Sequence, residues 1–525
     1  MVGGPGGGGL LSVKVGHMTD SSDLWLPVDR RERGLSYALM AALAGLVLWQ
    51  TWPAIGPESL WLDDTWSALA IRADDLGELA LVVFASPGHS FAMWALAQLD
   101  GPIELTAQIP ALTAAILLAP LGFLVTWWKS RDLAAAAVTG LILAVSPQII
   151  ELAARAKHYT MDALLSLGLL AIFLWAADGQ QPQRRSWAVV AGCVVAFAAS
   201  VGTAPACLAV FVAVLIEPIT RRDWAQVRGW LSKGAIAGAL AVVWFLLVVE
   251  PRVTAEARSY WSFAYLPLTD PTVALERLGA GVASIARSLS SLPVWLVLGG
   301  LLASAVAVTR RLPAWAIATF GPVLATALMA SLDLVPFGGG RTDTVLLPGL
   351  AVGVGLAVSL IPLRLRAWVV GAIVVILAVG GVTKADYPTG DVRHAVEKTA
   401  STRGPGETIL VHIGAWYGYA LYTPQDIELI PVQHDNKGFW FSTEDEKVFF
   451  VDNPALLPID HVGRLTTFEE AIGDTSRVWL VGSHLRSGAV EVKFDEIEEY
   501  LGARGFERVE THPFTAAEVR VFDRS

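Results

Sequence analysis

The chain has 525 residues, 54% hydrophobic and 16% charged, with a formal net charge of −10. Soluble globular proteins carry about 25% charged residues, so this composition excludes an ordinary soluble domain and marks an integral membrane protein. The acidic balance excludes a nucleic-acid partner, and the two cysteines, Cys193 and Cys207, sit in apolar segments and form neither a disulfide framework nor a metal-spaced pair.

Residues 1–34 are Gly-rich, then polar, and lack the apolar stretch of a signal peptide. They are expected to be a disordered cytoplasmic N-terminus, with Met18 a second candidate start. Arg30-Arg31-Glu32-Arg33 marks the inner side of the first helix by the positive-inside rule. Apolar segments then recur near 35–53, 104–128, 133–150, 160–177, 187–203, 205–218, 233–250, 288–308, 313–332, 343–362 and 367–383. They predict about eleven transmembrane helices. Taken alternately, the inside loops hold Lys129 and Arg131, then Arg184 and Arg185, then Arg221, Arg222 and Arg228, then Arg310 and Arg311, then Arg364 and Arg366. This charge pattern puts the N-terminus inside and the C-terminus outside.

Four outside segments follow: about Pro53–Gln98, Glu151–Tyr159, Pro251–Arg287 and Asp333–Thr342. Within the first, residues 66–84 mix Arg72, Asp74, Asp75 and Glu78 with Leu, Ala and Val, which predicts interfacial helices. Residues 384–525 are expected to form an extracytoplasmic α/β domain. Its candidate strands are Thr408–Ile413, Glu428–Pro431, Lys447–Val451, Arg477–Gly482, Glu507–His512 and Glu518–Phe522. Its candidate helices are Asp391–Thr402, Tyr417–Tyr422, Thr467–Ile472 and Val490–Arg504. Arg403-Gly404-Pro405-Gly406 precedes a strand rather than following one, so it reads as a turn and not a phosphate loop. No chemistry is assigned to this domain.

The residues that can carry chemistry lie on the outside segments. Asp63 and Asp64 follow the first span. One can take a proton from an acceptor hydroxyl while its neighbour raises its basicity, or the two can bind a divalent cation. The structural alternative is a helix N-cap, which only one of two adjacent acids can supply. The second segment ends in Arg155, Lys157, His158 and Tyr159 at the mouth of a helix. Arg and Lys there can clamp a phosphate, or merely snorkel to headgroups. In the fourth segment three glycines precede Arg341, a further phosphate candidate, whose structural alternative is a pair with Asp343. His89, in Ser86-Pro87-Gly88-His89-Ser90, is a candidate substrate or metal contact, with a structural histidine as the alternative. Arg258-Ser259-Tyr260-Trp261 can stack on a sugar, although aromatics there also form interface belts.

Together these residues resemble the C-type glycosyltransferase (GT-C) fold, in the branch with protein O-mannosyltransferases and the lipid A aminoarabinose transferase. The resemblance rests on Leu62-Asp63-Asp64 in the first outside loop and on His89 before the second span. It rests also on Ser146-Pro147 followed by Ala154-Arg155-Ala156-Lys157-His158-Tyr159, and on Gly340-Arg341 ahead of Leu347-Pro348. It covers about residues 35–383, in order. Asp64 stands where Glu is commoner, and Ser90 follows His89 in place of proline. The resemblance implies inverting transfer of a sugar from a polyprenyl-phosphate donor to a hydroxyl on a glycan, lipid or protein acceptor at the outer membrane face. Asp63 would be the base or the acid that positions the acceptor, and Arg155, Lys157 and Arg341 would hold the donor phosphate. The Ala-, Gly- and Trp-rich, Lys-poor composition fits a high-GC bacterium, so arabinosyl and mannosyl donors on a decaprenyl carrier come first. A transporter or flippase of lipid-linked glycans is the alternative. It would use the same cations without a base, and the inverted repeats common in transporters are not seen in the sequence.

Overall fold

The computed structural model describes residues 30–83, 86–177, 182–252, 259–379, 383–388, 390–431, 439–485 and 488–525. Of the expected disordered segment, 1–29 lies outside the described residues, and Arg30–Gly34 already belong to helix α1 (Arg30–Thr51). Arg258 also lies outside them.

Over their described residues, all eleven expected apolar segments are largely helical. Among the described residues, eight helices are long and apolar enough to cross a membrane, or nine if one bent pair is a single span. The chain is therefore a multi-pass membrane protein. The count falls below eleven for local reasons. Segment 133–150 breaks into Leu133–Ala144 and Pro147–Ala153, bent by 54°. Pro147 cannot continue the hydrogen-bond ladder, and the Ser146 hydroxyl donates to the Ser288 carbonyl at 2.6 Å instead. The helices for 187–203 and 367–383 are short: the apolar run Arg185–Ala199, and Leu363–Val379 with 17 residues. The first of these ends at Ala199, and a separate turn, Val201–Thr203, precedes the helix Ala204–Thr220.

The helix Ile103–Ser130 runs through the middle of the bundle and packs on α1, on Leu133–Ala144, on Tyr159–Ala177 and on Leu347–Ser359. Between residues 107 and 122 its buried face is mostly small: Ala107, Ala111, Ala114, Ala115, Ala119 and Gly122. Small residues let helix backbones approach in a membrane, where lipid supplies no hydrophobic drive. Thr126 and Thr139 hydroxyls meet at 2.8 Å between two such helices. At the far edge, Trp224–Val249 is only 6% buried over its apolar window and turns Leu240, Val243, Leu246 and Leu247 outward, as a lipid-facing helix should.

After Leu363–Val379 the chain forms a five-stranded sheet, in the order β4-β1-β5-β7-β6. The strands are β1 (Thr408–His412), β4 (Val448–Val451), β5 (Arg477–Ser483), β6 (Phe506–Phe514) and β7 (Ala517–Arg524). β4, β1 and β5 are parallel, while β7 and β6 are antiparallel. A separate antiparallel pair joins β2 (Ile427–Ile430) to β3 (Trp440–Thr443). β3 was not expected from the sequence. Alternation along β1 divides two cores. Leu410 packs with Phe494, Ile497 and Leu501 of helix Gly488–Gly502. Ile409 and Val411 belong to the core that contains Val392 and Ala395 and continues into the membrane bundle. The sheet thus shares one hydrophobic core with the spans. Polar contacts add to the junction: the Arg72 guanidinium donates to the carbonyls of Thr423 at 3.1 Å and Gln425 at 2.7 Å.

Close helix packing gives a direct stability prediction. A Cβ on Gly355 would lie 2.0 Å from the Thr139 hydroxyl and 2.9 Å from the Ala135 carbonyl, whereas one on Gly168 meets nothing within 4 Å. Gly355→Val should destabilise the detergent-purified chain by about 1–3 kcal/mol, the scale of overpacking. Gly168→Val should leave its thermal unfolding within experimental scatter of the parent.

Candidate active site

The acid pair lies in a seven-residue helix, α2 (Leu62–Ala68), whose N-cap is Trp61. Neither Asp63 nor Asp64 is the cap; both occupy the first turn, where the helix dipole favours carboxylates. Successive residues on a helix point about 100° apart, so the two acids diverge. Asp64 turns inward and is fully buried, while Asp63 faces a cavity and is half-exposed.

Asp64 Oδ2 accepts from Arg155 Nε at 2.7 Å and from the Tyr387 hydroxyl at 2.7 Å. Burial, and next the Asp64 carboxylate, push the Tyr387 phenol well above its ordinary pKa, so it remains a donor. Tyr387 is contributed from far along the chain, beyond the last membrane helix.

Asp63 Oδ2 accepts from Arg341 Nη1 at 2.6 Å. Arg341 opens a short helical turn after Gly338-Gly339-Gly340. Gly338 has φ +75, and a Cβ there would stand 2.2 Å from the Gly281 Cα, so the turn needs glycine. The Asp343 carboxylate is taken by the Gly338 and Gly340 N–H groups at 3.0 and 3.2 Å. The pairing of Arg341 with Asp343 considered from the sequence is therefore replaced by a pairing with Asp63.

A cavity of about 1140 Å³ opens between these elements. Asp63, Lys157, His158, Tyr159 and Arg341 line it, with Trp66, Tyr260 and Trp261 as aromatic wall. Apolar residues including Phe245, Val249 and Leu334 extend that wall, and Ile413 and Tyr417 reach it from the α/β domain. Lys157 Nζ donates to the Ser67 hydroxyl at 3.1 Å and lies 4.2 Å from the centre of the Trp66 ring. The other sequence candidates, Asp64, His89 and Arg155, are buried and do not line the cavity. His89 stands behind His158, with ring centres 6.4 Å apart. Burial, then Lys157, lowers the His89 pKa to about 3; burial, then His89 and Lys157, lowers that of His158 well below its ordinary value. Both imidazoles are thus neutral at neutral pH, so they can serve as polar contacts but not as cations.

Four acidic or basic cavity residues, Asp162, Glu250, Arg277 and Asp333, were not among the sequence candidates. Asp162 lies 3.6 Å from His158 Nε2 and sits inside a membrane helix, where an ionisable residue is itself a functional signal. Arg277 lies on an amphipathic helix, Pro271–Leu289, and its Nη1 donates to the Ser262 and Tyr265 carbonyls at 2.6 and 2.9 Å. No motif marked it. As to a divalent cation, the two carboxylates considered for it are each taken by a different arginine. Among the described residues, Glu58, Asp391 and His394 bring ligand atoms within 4.8 Å of one another, and none of the three lines the cavity.

No family model matches the chain, and no curated protein matches it in sequence. Solved structures do resemble it. Apo ArnT from Cupriavidus metallidurans superposes with a TM-score of 0.55 at 14% identity, covering 94% of this chain and 98% of that one. The same protein bound to undecaprenyl phosphate gives a TM-score of 0.41 at 17% identity, over 94% and 98%. The Archaeoglobus fulgidus oligosaccharyltransferase, in complex with Zn and sulfate, gives 0.48 at 13% identity, over 93% and 73%. The first of these fixes the architecture: over nearly its whole length the chain has the fold of ArnT.

The buried pair can be tested apart from any activity. Arg155→Met leaves the Asp64 charge buried without its cation and should cost about 3–5 kcal/mol of stability. Adding Asp64→Asn removes that charge and keeps an acceptor for Tyr387, so the double variant should recover most of the loss. A double-mutant cycle on thermal unfolding measures the coupling.

Proposed function

We propose, from a chain that carries the C-type glycosyltransferase fold, that this protein transfers a sugar from a polyprenyl-phosphate donor to a hydroxyl acceptor, with inversion at the anomeric carbon. On this reading residues 35–383 form the catalytic part, the N-terminus is cytoplasmic and residues 384–525 lie outside. The acceptor is a cell-envelope glycan, lipid or protein, and the sugar a hexose or pentose, with mannosyl and arabinosyl donors the first to assay.

One observation carries the proposal: the Asp63 carboxylate and the Arg341 guanidinium meet at 2.6 Å on the wall of one large cavity, with Lys157 also on that wall. Sugar transfer needs both charges at one place. The acceptor hydroxyl attacks the anomeric carbon and gives its proton to a carboxylate; the anomeric carbon–oxygen bond breaks, and its electron pair leaves on the polyprenyl phosphate. A phosphate leaving group is stabilised by fixed positive charge where the negative charge develops. A carboxylate within hydrogen-bond reach activates the hydroxyl. In this reading the Asp63–Arg341 bond is the resting state. The donor phosphate competes for Arg341 and frees the carboxylate for the acceptor, so the base becomes available when the donor is bound. Lys157 completes the phosphate clamp, with His158 and Tyr159 as polar contacts to the sugar. Arg155 supports the clamp from behind by fixing Asp64, and His89 by packing against His158. The apolar wall suits an isoprenoid chain. A transporter of lipid-linked glycans, the alternative, has no use for a carboxylate set against the phosphate cation.

Labelled sugar transfer from synthetic polyprenyl-phosphate donors, by the full chain in lipid vesicles, tests this. Asp63→Asn should still bind donor but turn over at least about 100-fold more slowly, the scale of lost acid–base help. Near-normal turnover would remove the base. Arg341→Ala should weaken donor binding, and unchanged affinity would reduce Arg341 to a partner of Asp63.

A further inference from the structure

In α/β sheets, ligands settle at the carboxyl ends of parallel strands where the outgoing connections part in opposite directions. Such a point exists here. The chain leaves β1 toward β4 on one side and leaves β5 toward β6 and β7 on the other. Helix Trp416–Tyr422, which follows β1, packs in the core shared with the membrane bundle, and helix Gly488–Gly502, which follows β5, packs in the opposite one. The ends of β1 and β5 bring together Ile413, Gly414, Ser483 and His484. They pack closely: a Cβ on Gly414 would stand 2.1 Å from the Ser483 carbonyl.

The segment Leu60–Leu62 lies against these strand ends. His484 Nδ1 is 2.8 Å from the Gly414 carbonyl and donates to it, because Nε2 must accept the Leu62 N–H, also at 2.8 Å. The His484 ring meets the Trp61 ring edge-on, with centres 4.0 Å apart. The Trp61 N–H donates to the Tyr387 hydroxyl at 2.9 Å, and the Leu60 N–H donates to the Tyr422 hydroxyl at 2.8 Å. Three consecutive backbone donors are therefore each received by a side chain from residues 384–525. They stand at the start of α2, where a helix has N–H groups without internal partners, and the Trp61 N-cap offers no side-chain bond of its own.

We infer that the α/β domain is a positioning device for Asp63: it takes Leu60–Leu62 as an internal ligand, and the grip of Tyr422, Tyr387 and His484 sets the first turn of α2 against Arg341. The inference rests on the proposed sugar transfer for its effect on rate. The grip itself stands on geometry alone. These residues act through the backbone of α2. Of the three, Tyr387 also touches Asp64, so His484 and Tyr422 are the ones to test.

The experiment compares the full chain with His484→Phe, Tyr422→Phe and His484→Gln, in lipid vesicles, by amide hydrogen exchange and by steady-state transfer from a polyprenyl-phosphate sugar. His484→Phe and Tyr422→Phe should each speed exchange at residues 60–62 about tenfold, the effect of losing about one net hydrogen bond. Both should lower kcat with the donor KM unchanged. His484→Gln, whose amide oxygen can still accept the Leu62 N–H, should restore protection and rate. Exchange at 60–62 unaffected by either loss would overturn the grip. Faster exchange with an unchanged kcat would overturn its role in setting Asp63. If the parent chain transfers no sugar at all, the sugar-transfer reading falls, while the exchange data still decide whether the domain holds the loop.

Discussion

Two adjacent carboxylates, each bound to a different arginine, tie this molecule together. Asp64 holds Arg155, and Asp63 holds Arg341, both through short hydrogen-bonded ion pairs. The arginines come from two separate segments between membrane helices and the acids from a third. Through Tyr387 the same acid turn is bonded to the α/β domain. A turn of helix that binds three distant segments cannot move without breaking charged contacts, so the cavity wall it forms is set by the fold rather than by a ligand.

The two pairs differ in kind because burial differs. Asp64 and Arg155 are shut off from water, where a charge without its partner is costly and a charge with it adds little net stability. Such a pair serves geometry. Asp63 and Arg341 are half-exposed on a cavity wall, where a surface pair contributes little stability and can exchange partners readily. A phosphate that enters can therefore displace Asp63 from Arg341 without disturbing the fold. Chemistry on one acid and architecture on its neighbour follow from the roughly 100° between successive helical residues.

What could be read from the sequence was governed by the range of the interactions. Apolar length and charge alternation are local, so all eleven segments were found, and only the break before Pro147 and the two short helices lowered the number of full spans. Short runs of β-prone residues marked every strand of the five-stranded sheet and β2, but not β3, whose four residues pair only with β2. Opposite charges at the same membrane face pointed to Asp63, Lys157 and Arg341, which do share a cavity. The division of labour between Asp63 and Asp64 was not legible. It depends on the phase of α2 and on Tyr387, 323 residues along the chain from Asp64. Nor was the partner of Arg341, since Asp343 is nearer in sequence and is diverted only by the backbone of the glycine turn. Arg277 had no signal, whereas Asp162 had one in its place within an apolar helix.

Nothing in the sequence ties the α/β domain to the chemistry, and a protein whose candidate site residues all precede position 384 would be expected to work without it. The contacts argue otherwise. Val411 and Val392 lie in the same hydrophobic core as Leu118 and Leu350 of the bundle, so removing the domain would bare part of that core. It would also take away the Tyr387 donor to Asp64 and the acceptors of three N–H groups at the start of α2. A buried donor or acceptor left without its partner costs more than the bond contributed when made. The domain is thus better described as the second half of the site's scaffold than as an appendage, even though the charged residues of the proposed reaction lie in the membrane part.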